Sequence, residues 1–363
     1  MDQKKTICFI NTSSVWGGGE SWQYETILDI RNTVKAVSIS DPKGKLQPKL
    51  AEAGVETHAF ASGNLSFLNP VKLIKAYRLL RRIAPRAVMF NTSKDFKLFT
   101  LPAKWAGVEY ILYRRDNGKT LRCHALNKIL LRKGVTHFVP CSKFIGKAAL
   151  QNSPNLFPAS KIDVIYNSIS LKKWDLLRPA PLSINRKPNE VLFGCIGRLS
   201  REKGQLLLPH VAATLRESNP NFRILVAGMG PLKEELLQDI SKYQAGPWVE
   251  LLGFVESNKA FLESIDCLLI PSYWEGLSTV AIEAMALRKP VIAFDVTSNP
   301  ELVTHGVNGL LAKPYDTKDM ASQMLHFLNN PSDIAAMGGR GRQLVEAKFC
   351  REVTDRQLMK YFA

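Results

Sequence analysis

The sequence predicts an α/β protein made of two Rossmann-like, doubly wound domains that face each other across a cleft. Three observations predict it. Short apolar runs alternate with helical patterns from Thr6 onward. The same rhythm restarts after a polar, proline-bearing stretch at residues 172–189. Finally, the second set of runs is continuously apolar, as parallel strands covered on both faces are. A chain of 363 residues is long enough for two separate cores.

The first unit opens as strand, glycine loop, helix: TICFINT, then Gly17–Gly19, then ESWQYETILDIRN. Strand-like runs follow at Val34–Ile39, Val55–Phe60, Ala87–Asn91, Tyr110–Tyr113, His137–Pro140 and Ile162–Ile165, with helical patterns such as VKLIKAYRLLRRI between them. The second unit repeats the opening with VLFGCIG, the loop RLSREKG and the helix QLLLPHVAATLRES. It continues through FRILVAG, WVELLGFV, DCLLIPS, PVIAFD and GLLAKP to a helical tail. This places a first domain at 1–175, a linker at 176–189, a second domain at 190–345, and a last helix at 346–363 returning to the first domain. Binding loops of such folds lie at the strand C-termini, so the crevice there is the default site.

Composition narrows the possibilities. The net charge of +17 is uneven: residues 1–187 hold 31 Lys/Arg against 12 Asp/Glu, and the remainder 18 against 20. A basic half attracts nucleic acid, an anionic membrane or a phosphorylated substrate. No recognised nucleic-acid module is present, so nucleic acid is not expected as a partner. No apolar run is long enough to span a membrane, and the N-terminal stretch lacks signal-peptide features. The six cysteines form no CxxC pair; Cys8, Cys195 and Cys267 sit inside apolar runs, as buried reduced thiols do. The expected location is cytoplasmic, peripheral on the inner face of the cytoplasmic membrane.

Two segments of the second domain carry chemistry. In SYWEGLSTVAIEAMA, an apolar strand ends at Pro271 and a helix-forming run starts near Thr279, with Ser278 as candidate N-cap. Gly276, Leu277, Ser278 and Thr279 then aim backbone N–H groups and a positive helix end at an anion such as a diphosphate. Glu275 and Glu283 offer carboxylates that accept hydrogen bonds from vicinal diols; the bland alternative is a loop charge and a solvated helix residue. In the loop after VLFGCI, Arg198 and Lys203 supply cations suited to phosphate. It lacks the G-x-x-x-x-G-K-[ST] pattern of nucleoside triphosphatases, and a solvated basic loop is the alternative. Gly18 and Gly19 allow close backbone approach to a ligand, or merely a tight turn.

Taken together these motifs resemble the family-four retaining glycosyltransferases of the GT-B fold. The family pairs a Gly-rich first loop, an Arg and Lys after the first strand of the C-terminal domain, and a Glu, seven residues, Glu motif, here Glu275 and Glu283. VAGMGPLKEEL, LLGFV and SNPELVTHGVNGLLAKPYD agree in order. The resemblance implies that Arg198 and Lys203 bind the donor diphosphate and that Glu283 holds the ribose. It implies further that Gly253, Phe254 and Val255 line the base and that Glu275 contacts the transferred sugar. Gly276–Thr279 would bind sugar and phosphate, and Gly18 and Gly19 would approach the same phosphates. The donor implied is a nucleoside diphosphate sugar, with uridine preferred, and no separate cofactor is expected. No D-x-D triplet occurs, and no metal site is expected.

One departure concerns the first domain, where many members place a histidine after a cleft-facing strand. Here EYILY runs into Arg114, Arg115 and Asp116. Arginine cannot act as a base at neutral pH, so these residues bind phosphate or an anionic acceptor, or else form a structural Arg–Asp pair. His124 reads as surface or packing. The basic amphipathic stretch Val71–Arg86 either lies on an anionic leaflet or buries one ordinary stripe. The acceptor implied is a glycan or lipid-linked glycan, phosphorylated to match the basic face, of the kind used in lipopolysaccharide or other envelope polymers. A nucleotide-sugar epimerase on the same fold and a basic nucleic-acid-binding protein are the alternatives.

Overall fold

The structure, a computed structural model, describes residues 5–118, 120–121 and 125–362. Cys123 and His124 lie outside the described residues. The chain divides into two compact units, one running to Asn167 and resuming at Glu352, the other spanning Ser168–Arg351.

The first unit holds six strands: β1 (Thr6–Asn11), β2 (Lys35–Ser40), β3 (Glu56–Ala59), β4 (Ala87–Phe90), β5 (Tyr110–Arg115) and β6 (His137–Pro140). All pair in parallel, in the order β3-β2-β1-β4-β5-β6. Side chains alternate across the sheet. Cys8, Ile10, Val88 and Phe90 face a core under the helices Pro70–Ile83 and Ser93–Trp105. Ile7, Phe9, Met89 and Leu112 face the other core, shared with the helix Gly18–Ile30. That second face is also closed by the C-terminal helix Arg351–Phe362, whose Leu358, Tyr361 and Phe362 are buried. Phe362 meets Phe9 edge to face at 6.0 Å, and Lys360 and Tyr361 both bond Asp163.

The run at 162–165 does not form a strand. It follows β6 through the amides of Asp163 and Ile165, which donate to Phe138 and Pro140. The proline has no N–H with which to return a bond, so a full ladder cannot form there.

The second unit repeats the plan with β7 (Val191–Ile196), β8 (Phe222–Ala227), β9 (Val249–Gly253), β10 (Cys267–Ile270), β11 (Val291–Phe294) and β12 (Gly309–Ala312). The order is β12-β11-β10-β7-β8-β9, again all parallel. Counted within the unit, this is the first unit's order. In each sheet the first strand lies between the second and the fourth, so the chain reverses direction across the sheet there. This is the switch point at which doubly wound sheets bind ligands.

The division falls before residue 175. The helix Leu171–Leu176 is tied to the second unit because Lys259, itself buried, donates to the carbonyls of Trp174 and Leu177. Residues 177–190 carry no helix or strand but are stitched down: Arg186 pairs with Asp266, and Arg223 donates to Asn185. Cys8, Cys141, Cys195, Cys267 and Cys350 are buried, and burial pushes the Cys195 thiol up to about 12. Among the described residues no helix is long and apolar enough to cross a membrane.

Candidate active site

In the second unit the loops after β7 and β10 flank the switch point, and both predicted chemical segments lie on them. Three glycines make the crowding possible. A Cβ on Gly204 would lie 1.9 Å from the Pro271 carbonyl oxygen, on Gly228 2.0 Å from that of Gly197, and on Gly230 2.2 Å from that of Leu199. Gly204 and Gly228 also sit at φ +68 and +135, where side chains are strained. Backbone thus packs on backbone, and amides hold the loops together: Leu199 donates to Met229, Gly228 to Gly253, and Tyr273 to Glu202.

On this frame Lys203 Nζ donates to Glu275 Oε1 at 2.7 Å. The Ser272 hydroxyl donates to the same oxygen at 2.8 Å. The Glu275 amide donates to Thr297 Oγ1, and the Ser298 hydroxyl donates to the Glu275 carbonyl. Glu275 is buried, Lys203 half-buried and Arg198 exposed. A cation and a carboxylate are therefore held in contact at a strand terminus, with a second cation five residues upstream. Ser272, Thr297 and Ser298 were not anticipated. Their only sequence signal is adjacency to a strand end, which small polar residues share with any loop.

The helix Thr279–Ala286 begins where expected, with Ser278 at the N-cap position. The Ser278 hydroxyl makes no capping bond, contrary to the expectation. Gly276, Leu277 and Ser278 are buried and Thr279 is exposed. Glu283, one turn on, is half-buried, and Asn258 Nδ2 donates to its Oε2 at 3.0 Å. Burial pushes the Glu283 carboxyl up to about 7, against the opposing pull of Asn258. Gly253 closes β9 at φ +71, followed by Phe254, 68% exposed, and Val255. An exposed ring at a strand end offers a flat apolar face, as a heterocyclic base requires.

The first unit differs. Gly18 and Gly19 form the first turn of the helix Gly18–Ile30, not a loop. Asn91 Nδ2 donates to the Gly19 carbonyl at 3.4 Å, and a Cβ on Gly19 would meet Asp116 Oδ2 at 3.4 Å. Arg114 has no exposed surface. Its guanidinium stacks 3.5 Å from the Trp22 ring centroid, donates to the Ile165 carbonyl and Asn167 Oδ1, and pairs with Asp116 at 3.1 Å. Arg114 thus forms the structural Arg–Asp pair that was one of its two readings. Arg115 is also buried, donating to the Tyr113 hydroxyl at 3.1 Å and to Ser93 Oγ at 3.4 Å.

Two parallel six-stranded sheets of one order, the second bearing cations and carboxylates at its switch point, are the architecture of GT-B glycosyltransferases. Residues 180–344 match the model of the family "Glycosyl transferases group 1". The resemblance read from the motifs holds. The putative colanic acid biosynthesis glycosyltransferase WcaL of Escherichia coli K12 is 30% identical over 210 residues, covering 55% of this chain and 50% of the relative. The chain spans about half the length of the curated relatives it matches first. Among solved structures, Anabaena HepE in complex with UDP and glucose is 20% identical with a TM-score of 0.80, covering 99% of both chains. The lipopolysaccharide outer core galactosyltransferase WaaB is 18% identical with a TM-score of 0.76, covering 98% of both.

Proposed function

We propose that the chain is a retaining glycosyltransferase that moves a sugar from a nucleoside diphosphate donor to a glycan or glycolipid acceptor. The observation that carries the reading is the Lys203–Glu275 contact at the switch point, beside Arg198 and the start of the helix Thr279–Ala286. When the sugar C1–O bond breaks, the diphosphate gains negative charge. Arg198, Lys203 and the amides of Gly276–Thr279 stabilise that charge, which lowers the barrier. Glu275, held by Ser272 and Lys203, keeps one oxygen for the hydroxyls of the transferred sugar. Glu283 takes the ribose diol, and Phe254 with Gly253 and Val255 takes the base. The acceptor hydroxyl attacks C1 from the face the leaving group departs, its proton passing to the departing phosphate oxygen, so configuration is retained and no enzymic nucleophile is used. In this arrangement side-chain cations and amides neutralise the leaving group, the task a divalent ion performs elsewhere.

Uridine diphosphate is the nucleotide of choice because the solved relative HepE holds UDP and glucose. An envelope polysaccharide or lipopolysaccharide acceptor is favoured by the names of WcaL and WaaB. Docking of the first unit on the inner face of the cytoplasmic membrane is supported by Leu65, Leu68, Val71 and Ile74, all about half or more exposed, among the exposed Lys75, Arg78, Arg81 and Arg82. Thermal shift with uridine, guanosine and adenosine diphosphates, followed by proton NMR of the product anomer, tests the reading. Stabilisation by uridine diphosphate and an axial product linkage from an axial donor are expected; no response to any nucleotide, or an inverted product, overturns it.

A further inference from the structure

Beside the transfer centre, the second unit carries an aromatic cluster to which none of the roles above falls. Beyond β12 the chain turns through Tyr315, whose φ is +61. Left-handed backbone is a genuine outlier for a bulky side chain and persists only where surrounding structure imposes it. Tyr315 packs edge-on against the buried Phe294 at 6.0 Å and stacks on Tyr273 at 5.1 Å with an interplanar angle of 28°. Yet both rings stay open to solvent, Tyr273 at 40% and Tyr315 at 48%. A strained turn that buried its ring would be explained by the core. One that braces a second, exposed ring is not.

Tyr273 forms one wall of a cavity of about 400 Å³ completed by Ser200, Arg201, Glu202, Gly204 and Leu206. The wall is rigid: Tyr273 and Trp274 donate from their amides to the Glu202 carbonyl, and the Gly204 turn admits no larger residue. Its chemistry is divided. Tyr273 and Leu206 are apolar faces, whereas the exposed Arg201 and Glu202 supply guanidinium and carboxylate; the buried Ser200 hydroxyl donates to the Arg198 carbonyl. A pyranose ring has the matching division, with axial C–H bonds on its flat faces and hydroxyls around its edge. The aromatic face takes the former, and a donor-rich guanidinium with an acceptor carboxylate takes the latter.

We propose that Tyr273, backed by Tyr315, is the stacking platform of a second carbohydrate site that takes a pyranose unit of an oligosaccharide outside the transfer centre. The kind of ligand rests on the reading of the chain as a glycosyltransferase; the site does not share its residues. Because Glu202 and Gly204 flank Lys203 in sequence, a glycan seated there is tethered to the turn that carries the catalytic lysine, and so stays close between successive additions.

The test is retention of the labelled full chain on a microarray of bacterial and plant glycans without nucleotide, with uridine diphosphate thermal shift run in parallel. Wild type retains at least one glycan class. Tyr273→Ala weakens retention about tenfold, and Tyr315→Gly, which relieves the backbone but removes the brace, weakens it about threefold, while both still respond to nucleotide. Lys203→Ala keeps its glycan signal. Should Tyr273→Ala unfold, Arg201→Ala on the exposed rim supplies the same readout. No glycan retained by wild type, retention indifferent to these changes, or glycan binding lost in Lys203→Ala overturns the proposal. Loss of the nucleotide response in wild type would instead sink the transferase reading.

Discussion

The two units share one strand order but handle their switch points in opposite ways. In the first, the side chains there are spent on one another. Asp95, fully buried, accepts from the Thr12 amide and hydroxyl and from the Thr92 hydroxyl, and Lys94 donates to the carbonyls of Thr12 and Ser62. In the second, backbone contacts made possible by Gly204, Gly228 and Gly230 hold the loops, which carry the Lys203–Glu275 pair and the exposed Arg198. The topology supplies a crevice in both; what turns it into a charged site is whether backbone or side chains close the loops.

The sharpest way to break this comparison is to remove one lysine from each unit. Lys203→Ala, or Glu275→Ala, is expected to cut kcat about 10²–10³-fold, the usual effect of removing a group that stabilises developing charge. Lys203→Ala also leaves the buried Glu275 without its cation, so its thermal midpoint should fall as well and kcat is compared well below it. Lys94→Ala should lower the midpoint while kcat changes little. Equal losses of kcat in both lysine variants would show that the first unit's cluster also touches the reacting groups.

Stability measurements give the next largest contrast. Asp95→Ala strands three donors in a buried site, and should cost about 3 kcal/mol in urea unfolding. Arg114→Met breaks the buried pair with Asp116 and leaves that carboxylate without its partner, again about 3 kcal/mol. A neutral Arg114→Met with weakened acceptor binding would instead give Arg114 the ligand role.

These residues also mark how far the sequence could be read. The alternation of apolar runs and helices gives both sheets, and Arg198, Lys203 and Glu275 fall on the loops expected and Glu283 on the helix expected, because each is tied to a strand end by short-range pattern. Three things escaped. The run at 162–165 is apolar enough for a strand, but its pairing is decided by a proline on a neighbour that spacing does not reveal. Arg114 is indistinguishable in sequence from an exposed Arg until Trp22, ninety-two residues earlier, is brought beneath it. The contact between Lys203 and Glu275 depends on β7 and β10 being neighbours, a long-range fact absent from either motif.

Glu283 offers a pH-dependent contrast. Its folded pKa of about 7 exceeds the ordinary 4.5, so between those values the folded chain keeps a proton that the unfolded chain has lost. Its contribution to stability therefore declines as pH rises from about 4.5 to about 7 and is level on either side. Glu283→Gln should flatten that stretch of the unfolding profile. If the ionised carboxylate takes the ribose diol, uridine diphosphate affinity should fall about tenfold per unit below pH 7, and the dependence should vanish in Glu283→Gln. An affinity unchanged between pH 5 and 8 in wild type removes Glu283 from the nucleotide.

The smallest effect belongs to the outer surface of the first unit. Helix Pro70–Ile83 buries only Ala76 and Leu80, while Val71, Ile74 and Lys75 are exposed. A helix serving only its core would leave polar residues at those outer positions; one resting on a leaflet needs apolar side chains to insert and cations to meet the headgroups. In flotation with vesicles containing phosphatidylglycerol, Lys75→Ala should weaken binding by about 1 kcal/mol, roughly fivefold, and Ile74→Glu should do so as well on neutral phosphatidylcholine with added salt. The paired measurement separates the two contributions, because salt screens the lysine and leaves insertion intact. If wild type floats with neither vesicle, the exposed apolar residues serve some other contact and the acceptor need not be membrane-borne.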